Sequence, residues 1–209
     1  MLSEPFTIDA ADEAPEPWLD PAILADGGAD NPLRLRRDLR RAEAEIARLQ
    51  AALVEQARLA DHDALTGLLN RRGFERALAQ LLAACRRYRS DAALIYLDLD
   101  GFKALNDRAG HAAGDAALKT VAETLLAGVR ESDLVARLGG DEFAVVLLNA
   151  DKAAAEAKGE ALDAAITRAI SGLGASFGVR VYESGMAAAQ MLAEADAAMY
   201  VRKGDRKRA

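Results

Sequence analysis

Three observations predict an α/β (α+β) fold preceded by a long helix. After residue 60 the chain alternates between helical and extended patterning in the order α-β-α-β-β-α-β-α. A sustained heptad runs from Leu33 to Ala60. The composition also favours helix, with 48 alanines among 209 residues and aromatics at only 5 %. A chain of this length accommodates one domain of about 150 residues plus an appendage.

Residues 1–32 stand apart. They hold all five prolines and, up to Asp30, eight acidic residues with no Lys or Arg. Such a stretch buries too little apolar surface to offset its ordering entropy, so a flexible segment is expected. It carries the only tryptophan, in Glu16-Pro17-Trp18-Leu19. Two readings stand: an acidic tail without a role, or a docking peptide for a protein partner.

Residues 33–60 read as a dimerisation helix. With Leu39 at an a position, the seam is Leu35, Leu39, Ala42, Ile46, Leu49, Leu53, Gln56 and Ala60. Pro32 sits where a helix can begin, and about 28 residues would span roughly 42 Å. A surface helix packed on its own domain is the alternative. Two apolar positions per heptad, flanked by Arg36, Arg37, Arg40, Arg41, Glu43 and Glu45, favour a two-stranded coiled coil and hence a homodimer. Gln56 would weaken that seam locally.

Residues 61–209 carry the sheet. A helix is expected over about 71–89 and a buried strand over 92–99, reading AALIYLDL. A second helix is expected over about 115–130. Strands over 134–138 and 143–148 flank a four-residue turn, Gly139-Gly140-Asp141-Glu142, which makes a hairpin. A helix over 152–170, a strand over 175–181 and a helix over about 186–203 complete the series. A crossover helix between the first two strands fits a ferredoxin-like split βαβ arrangement, covered by helices on at least one face.

Composition excludes several classes. The net charge of −6 argues against a nucleic-acid binder that relies on bulk positive charge. One cysteine, Cys85, excludes an intramolecular disulfide framework and a cysteine zinc cluster. No apolar run reaches membrane-spanning length and the N-terminus lacks a signal-peptide pattern, so a cytoplasmic protein with no membrane span is expected. His62 and His111 are not at zinc-ligand spacing. Asp98-Leu99-Asp100-Gly101 departs from a calcium loop, since its glycine comes too early and the twelfth position is Ala109. Gly172-Leu173-Gly174, followed by Gly178, leads into a strand and not a helix, which does not fit a dinucleotide fingerprint.

Two acidic clusters remain, each at a strand end: Asp98 with Asp100, and Asp141 with Glu142. On neighbouring strands they would converge on one edge, where mutual repulsion calls for a divalent cation. Oxygen-only ligation points to Mg²⁺, with Mn²⁺ as the alternative, in the company of phosphate. Lys103 lies close by in sequence, and Lys203 and Lys207 stand in a basic C-terminal run whose other reading is a solvated tail. Carboxylates holding a metal with lysines nearby describe a polyphosphate site. Asn106 and Asp115 offer an amide and a carboxylate to a purine edge, since guanine presents N1–H and N2–H donors.

Four motifs in order resemble the GGDEF domains of diguanylate cyclases: DHDALTGLLNRRGF (61–74), LDLDGFKALNDRAGHAAGD (97–115), RLGGDEF (137–143) and ADAAMYVRK (195–203). The resemblance covers about residues 61–207 and implies a five-stranded, nucleotide-cyclase-like sheet and the condensation of two GTP into cyclic di-GMP with release of two pyrophosphates. It implies that Asp98, Asp141 and the Leu99 carbonyl ligate Mg²⁺, with Glu142 supporting the metal site. Asp141 would be the base for the attacking 3′-hydroxyl, and Lys103 would stabilise charge on the phosphates. Lys203 and Lys207 would bind the triphosphate, and Asn106 and Asp115 would read guanine. The resemblance also implies that aspartate at 115 commits the chain to GTP.

Because each such domain holds one GTP, two must face each other, and the coiled coil would tether them at high effective concentration. Arg130-Glu131-Ser132-Asp133 matches the family's RxxD inhibitory site, which binds product through Arg130 and Asp133. Where the last motif usually continues with glycine and arginine, this chain has Arg206 and Lys207 and ends at Ala209; this bears on the Lys207 contact and the strand count. A non-catalytic cyclic di-GMP receptor or scaffold is the second reading. Retention of Asp98, Asp141 and Glu142 favours the enzyme.

Overall fold

The structure, a computed structural model, describes residues 32–206. Trp18 with its acidic segment and Lys207 lie outside the described residues. The described chain divides into two units between Glu55 and Gln56. Helix α1 spans Pro32–Asp61. In its first unit Leu35, Leu39, Ile46 and Leu49, all at expected seam positions, are exposed.

The second unit holds α2 (Arg71–Tyr88), β1 (Ala92–Asp100), α3 (Phe102–Ala109), α4 (His111–Ala127), β2 (Leu134–Gly139), β3 (Glu142–Leu148), α5 (Lys152–Ala169), β4 (Gly174–Val181) and α6 (Ala188–Arg206). Local chemistry fixes several boundaries. Asn70 caps α2 by accepting from the Gly73 N–H at 2.9 Å, and Asp151 caps α5 by accepting from the Ala154 N–H at 2.8 Å.

The sheet order is β2-β3-β1-β4, with every pair antiparallel. β3 therefore lies between β1 and β2, which is the split βαβ arrangement expected. Four strands are present among the described residues, against the five that the resemblance implied.

Alternation along the central strand β1 builds two cores. Ile95, Leu97 and Leu99 join Phe143, Val145 and Phe177 beneath α4 and α5, where Val121, Leu125, Leu162 and Ile166 pack. Leu94 and Tyr96 join Ala144 and Val146 on the other face, against Phe74, Leu78 and Leu82 of α2 and Met191, Ala195 and Met199 of α6. Helices thus cover both faces, more than the one-face minimum expected. This explains why AALIYLDL reads as a continuous apolar run.

Three expectations are corrected. α3 was not expected: at eight residues with none buried, it is too short to show a period. α4 begins at His111, four residues before the expected start. The hairpin turn is shorter than four residues, because Gly139 pairs with Glu142 across an irregularity in the β2–β3 register, leaving Gly140 and Asp141 between the strands. Gly140 there has φ +47°, a left-handed conformation that suits glycine.

Candidate active site

The register places the two acidic clusters side by side. Asp98 of β1 is the direct cross-strand partner of Glu142 of β3. The Leu99 N–H donates to the Asp141 carbonyl at 3.1 Å, which ties the turn to the end of β1. Lys203 of α6 reaches back to pair with the Asp98 carboxylate. Burial works against the Lys203 ammonium, but the hydrogen bond to Asp98 and the charges of Asp98, Asp100 and Asp141 outweigh it and raise its pKa above the usual lysine value.

Beside this cluster opens a cleft of about 410 Å³, bordered by Asp100, Gly101, Lys103, Asp107, Asp141 and Lys203. Lys103 projects from the exposed surface of α3. Asp100 accepts a 2.7 Å hydrogen bond from the hydroxyl of Ser176, which is fully buried on β4.

Glu142 turns elsewhere. Its carboxylate lies 3.5 Å from Arg71, whose Nε also donates to the Leu138 carbonyl at 3.3 Å. Glu142 and Arg71 border a separate cleft of about 330 Å³ with Glu75, Tyr96 and Asp196. Burial, and then the Glu142 charge, push the Tyr96 phenol up to about 12, so it is neutral at physiological pH.

The donors at the β1–β3 end fit a magnesium ion. Asp98, Asp141 and the Leu99 backbone offer only oxygen, and an anionic cluster already draws in a lysine. Among the described residues no group of three or more His, Cys, Asp or Glu could enclose a cation alone.

The remaining expected residues fall in two places. Asn106 of α3 lies against Gly114 of α4, and Asp115, the next residue of α4, is exposed. Arg130 and Asp133 border another cavity of about 280 Å³, shared with Asn149 and Lys158. Asp133 is held by two backbone donors, the Arg130 N–H at 2.9 Å and the Leu148 N–H at 3.1 Å.

Sequence reasoning missed the residues that brace the hairpin turn. Arg137 donates to both oxygens of Asp63, at 3.1 and 3.2 Å, and to the Gly140 carbonyl, at 3.0 and 2.8 Å. Burial alone would raise the Asp63 pKa, but hydrogen bonds from Thr66 and Arg137 outweigh it and hold it below the usual carboxylate range. Asp61, also missed, is buried and paired with Arg72 and Arg76. Both acids stand inside the first motif, and the signal lay in their partners' charge, 11 to 74 residues away.

The model of the diguanylate cyclase GGDEF domain matches residues 60–209, and the chain belongs to that family. The chain is similar to diguanylate cyclase TpbB of Pseudomonas aeruginosa, 50 % identical over 101 residues, which cover 48 % of this chain and 23 % of TpbB. It is also similar to the probable diguanylate cyclase DgcE of Escherichia coli K12, 40 % identical over 152 residues, covering 69 % of this chain and 14 % of DgcE. The chain thus spans less than a quarter of either relative's length. Among solved structures, the coiled coil and GGDEF domain of DgcB from Caulobacter crescentus in complex with c-di-GMP superposes with TM-score 0.75 and 26 % identity, covering 82 % of this chain and 95 % of that one. Among the described residues, no helix is long and apolar enough to cross a membrane.

Proposed function

We propose that this chain is a diguanylate cyclase that joins two GTP molecules into cyclic di-GMP and releases two pyrophosphates. The observation that carries this reading is that Lys203 pairs with Asp98 while bordering the same cleft as Lys103 and Asp141. A cluster of carboxylates and lysines at one cleft suits a metal–triphosphate substrate.

Asp98, Asp141 and the Leu99 carbonyl would hold Mg²⁺, or Mn²⁺ in its place; Glu142, whose carboxylate is turned to Arg71, would support the site from its place opposite Asp98 on β3. When bound, the ion would neutralise charge on the phosphate oxygens. Asp141 accepts the proton of the 3′-hydroxyl as its oxygen attacks the α-phosphorus of the second GTP, and the bond to pyrophosphate breaks. Lys203, with Lys207, binds the triphosphate, and Lys103 offsets the charge that develops on the phosphates. Asn106 and Asp115 hold the guanine.

Two active sites must meet, since each carries one substrate. The exposed leucines and isoleucine of the first unit supply a seam through which two copies pair. Replacing Leu39 and Ile46 by glutamate should convert the dimer to monomer in sedimentation and lower turnover at least about tenfold at dilute protein. Arg130 and Asp133 form the product-inhibition site, and residues 1–32 are the segment available to a protein partner.

The test is product analysis. Protein stripped of bound nucleotide is incubated with GTP and Mg²⁺, and the products are weighed by mass spectrometry. Cyclic di-GMP with two pyrophosphates per molecule is expected. Binding of cyclic di-GMP without turnover would replace the cyclase reading with that of a receptor.

A further inference from the structure

We propose that Arg202 is a positioning residue for substrate binding, which latches the last turn of α6 to β4 and α5 so that Lys203 is presented to the cleft. The proposal rests on the GTP-binding reading above and deepens it. α6 packs on one face of the sheet through Met191, Ala195 and Met199. Its backbone at Ala195 and Met199 lies so close to β4 that a Cβ on Gly178 would collide with it. Beyond Met199 that grip ends, and Tyr200, Val201 and Gly204 are all exposed. A final turn without buried apolar side chains frays readily, and a glycine within it adds to the tendency. Lys203 stands on this turn.

Arg202 supplies the hold that apolar burial does not. Its guanidinium carbon stands 3.9 Å from the centroid of the Phe177 ring, and its Nη2 donates to the Glu160 carboxylate at 2.7 Å. Phe177 of β4 belongs to the core on the opposite face of the sheet, beneath α5. Gly159, the residue before Glu160, lies so close to that ring that a Cβ there would collide with it. Arg202 therefore crosses the β4 edge of the described sheet and ties α6 to α5. A planar guanidinium suits both contacts, with a face for the ring and N–H groups for the acid.

The latch matters most when substrate arrives. In the structure Lys203 is paired with Asp98. To bind a triphosphate it must exchange that partner, and the last turn then loses that attachment. Arg202, Phe177 and Glu160 stand outside the residues that border the cleft. Their contacts persist through the exchange and keep the ammonium in place. Ordering the turn during folding rather than on binding favours affinity. The register makes the coupling short, because Phe177 is next to Ser176, the direct cross-strand partner of Asp98.

The experiment measures binding of the α,β-methylene analogue of GTP, which cannot be condensed, by calorimetry with Mg²⁺ on the full chain stripped of nucleotide. Arg202→Ala should bind it about three- to tenfold more weakly than the parent. Arg202→Lys, which keeps the charge but not the planar stack, should fall between the two. In a Lys203→Ala background, where there is no ammonium to place, Arg202→Ala should have no further effect. Hydrogen exchange at residues 200–204, followed by mass spectrometry without nucleotide, should be faster in Arg202→Ala than in the parent. Unchanged analogue binding in Arg202→Ala would overturn the proposal. So would an equal loss in the Lys203→Ala background, since Arg202 would then touch the nucleotide itself or serve packing alone. A parent that fails to bind the analogue would sink the cyclase reading and this one with it.

Discussion

The carboxylates of the first motif, Asp61 and Asp63, and those at the β1–β3 end, Asp98 and Asp141, are compensated in different ways. Asp63 is fixed by three donor groups, from Thr66 and Arg137, and Asp61 is buried against Arg72 and Arg76. Asp98 instead meets one lysine that arrives from the far end of the sequence, and Asp141 borders an open cleft. A charge held by several fixed donors is bound into the fold. One held by a single flexible ammonium at a cleft can exchange that partner for a cation and a phosphate. The contrast separates acids bound into the fold from acids that border the cleft.

The contrast can be broken at either side. The largest effect is expected from Asp98→Ala, which should cut turnover by at least about a thousandfold while the protein still melts cooperatively. Lys203→Ala comes next: steady-state kinetics should show KM for GTP rising about ten- to a hundredfold through loss of a charge-assisted contact. Arg130→Ala should weaken cyclic di-GMP inhibition about tenfold in the same assay and leave the initial rate unchanged.

Acid titration sharpens the other side by a smaller amount. The folded pKa of Asp63 is lowered, so its contribution to stability is fully present above its unfolded value of about 4 and is lost as pH falls through the lower folded value. Melting curves between pH 5 and 2 should therefore converge for the parent and Asp63→Asn, which differ by about 1–3 kcal/mol at neutral pH.

The sequence patterning was informative where the physics is local. Period-2 and period-3.6 patterns placed every strand and the long helices, and the buried run at 92–99 marked the central strand. Placing Asp98 beside Glu142 needed only the neighbourhood of two strands, which the split βαβ order supplies. What stayed hidden depends on distant partners. α3 buries no residue and leaves no period. Nothing local links Asp63 to Arg137, 74 residues on. Glu142 reads as one acid of a pair, yet its side chain is drawn to Arg71 on another helix.

The most direct measurement sets turnover and melting temperature side by side for Asp141→Ala and Asp63→Asn. Asp141→Ala should lose cyclic di-GMP formation at an unchanged melting temperature. Asp63→Asn should melt several degrees lower and retain measurable turnover. An active Asp141→Ala variant, or one that loses activity only because it unfolds, would contradict the division of the two groups and the cyclase chemistry built on it.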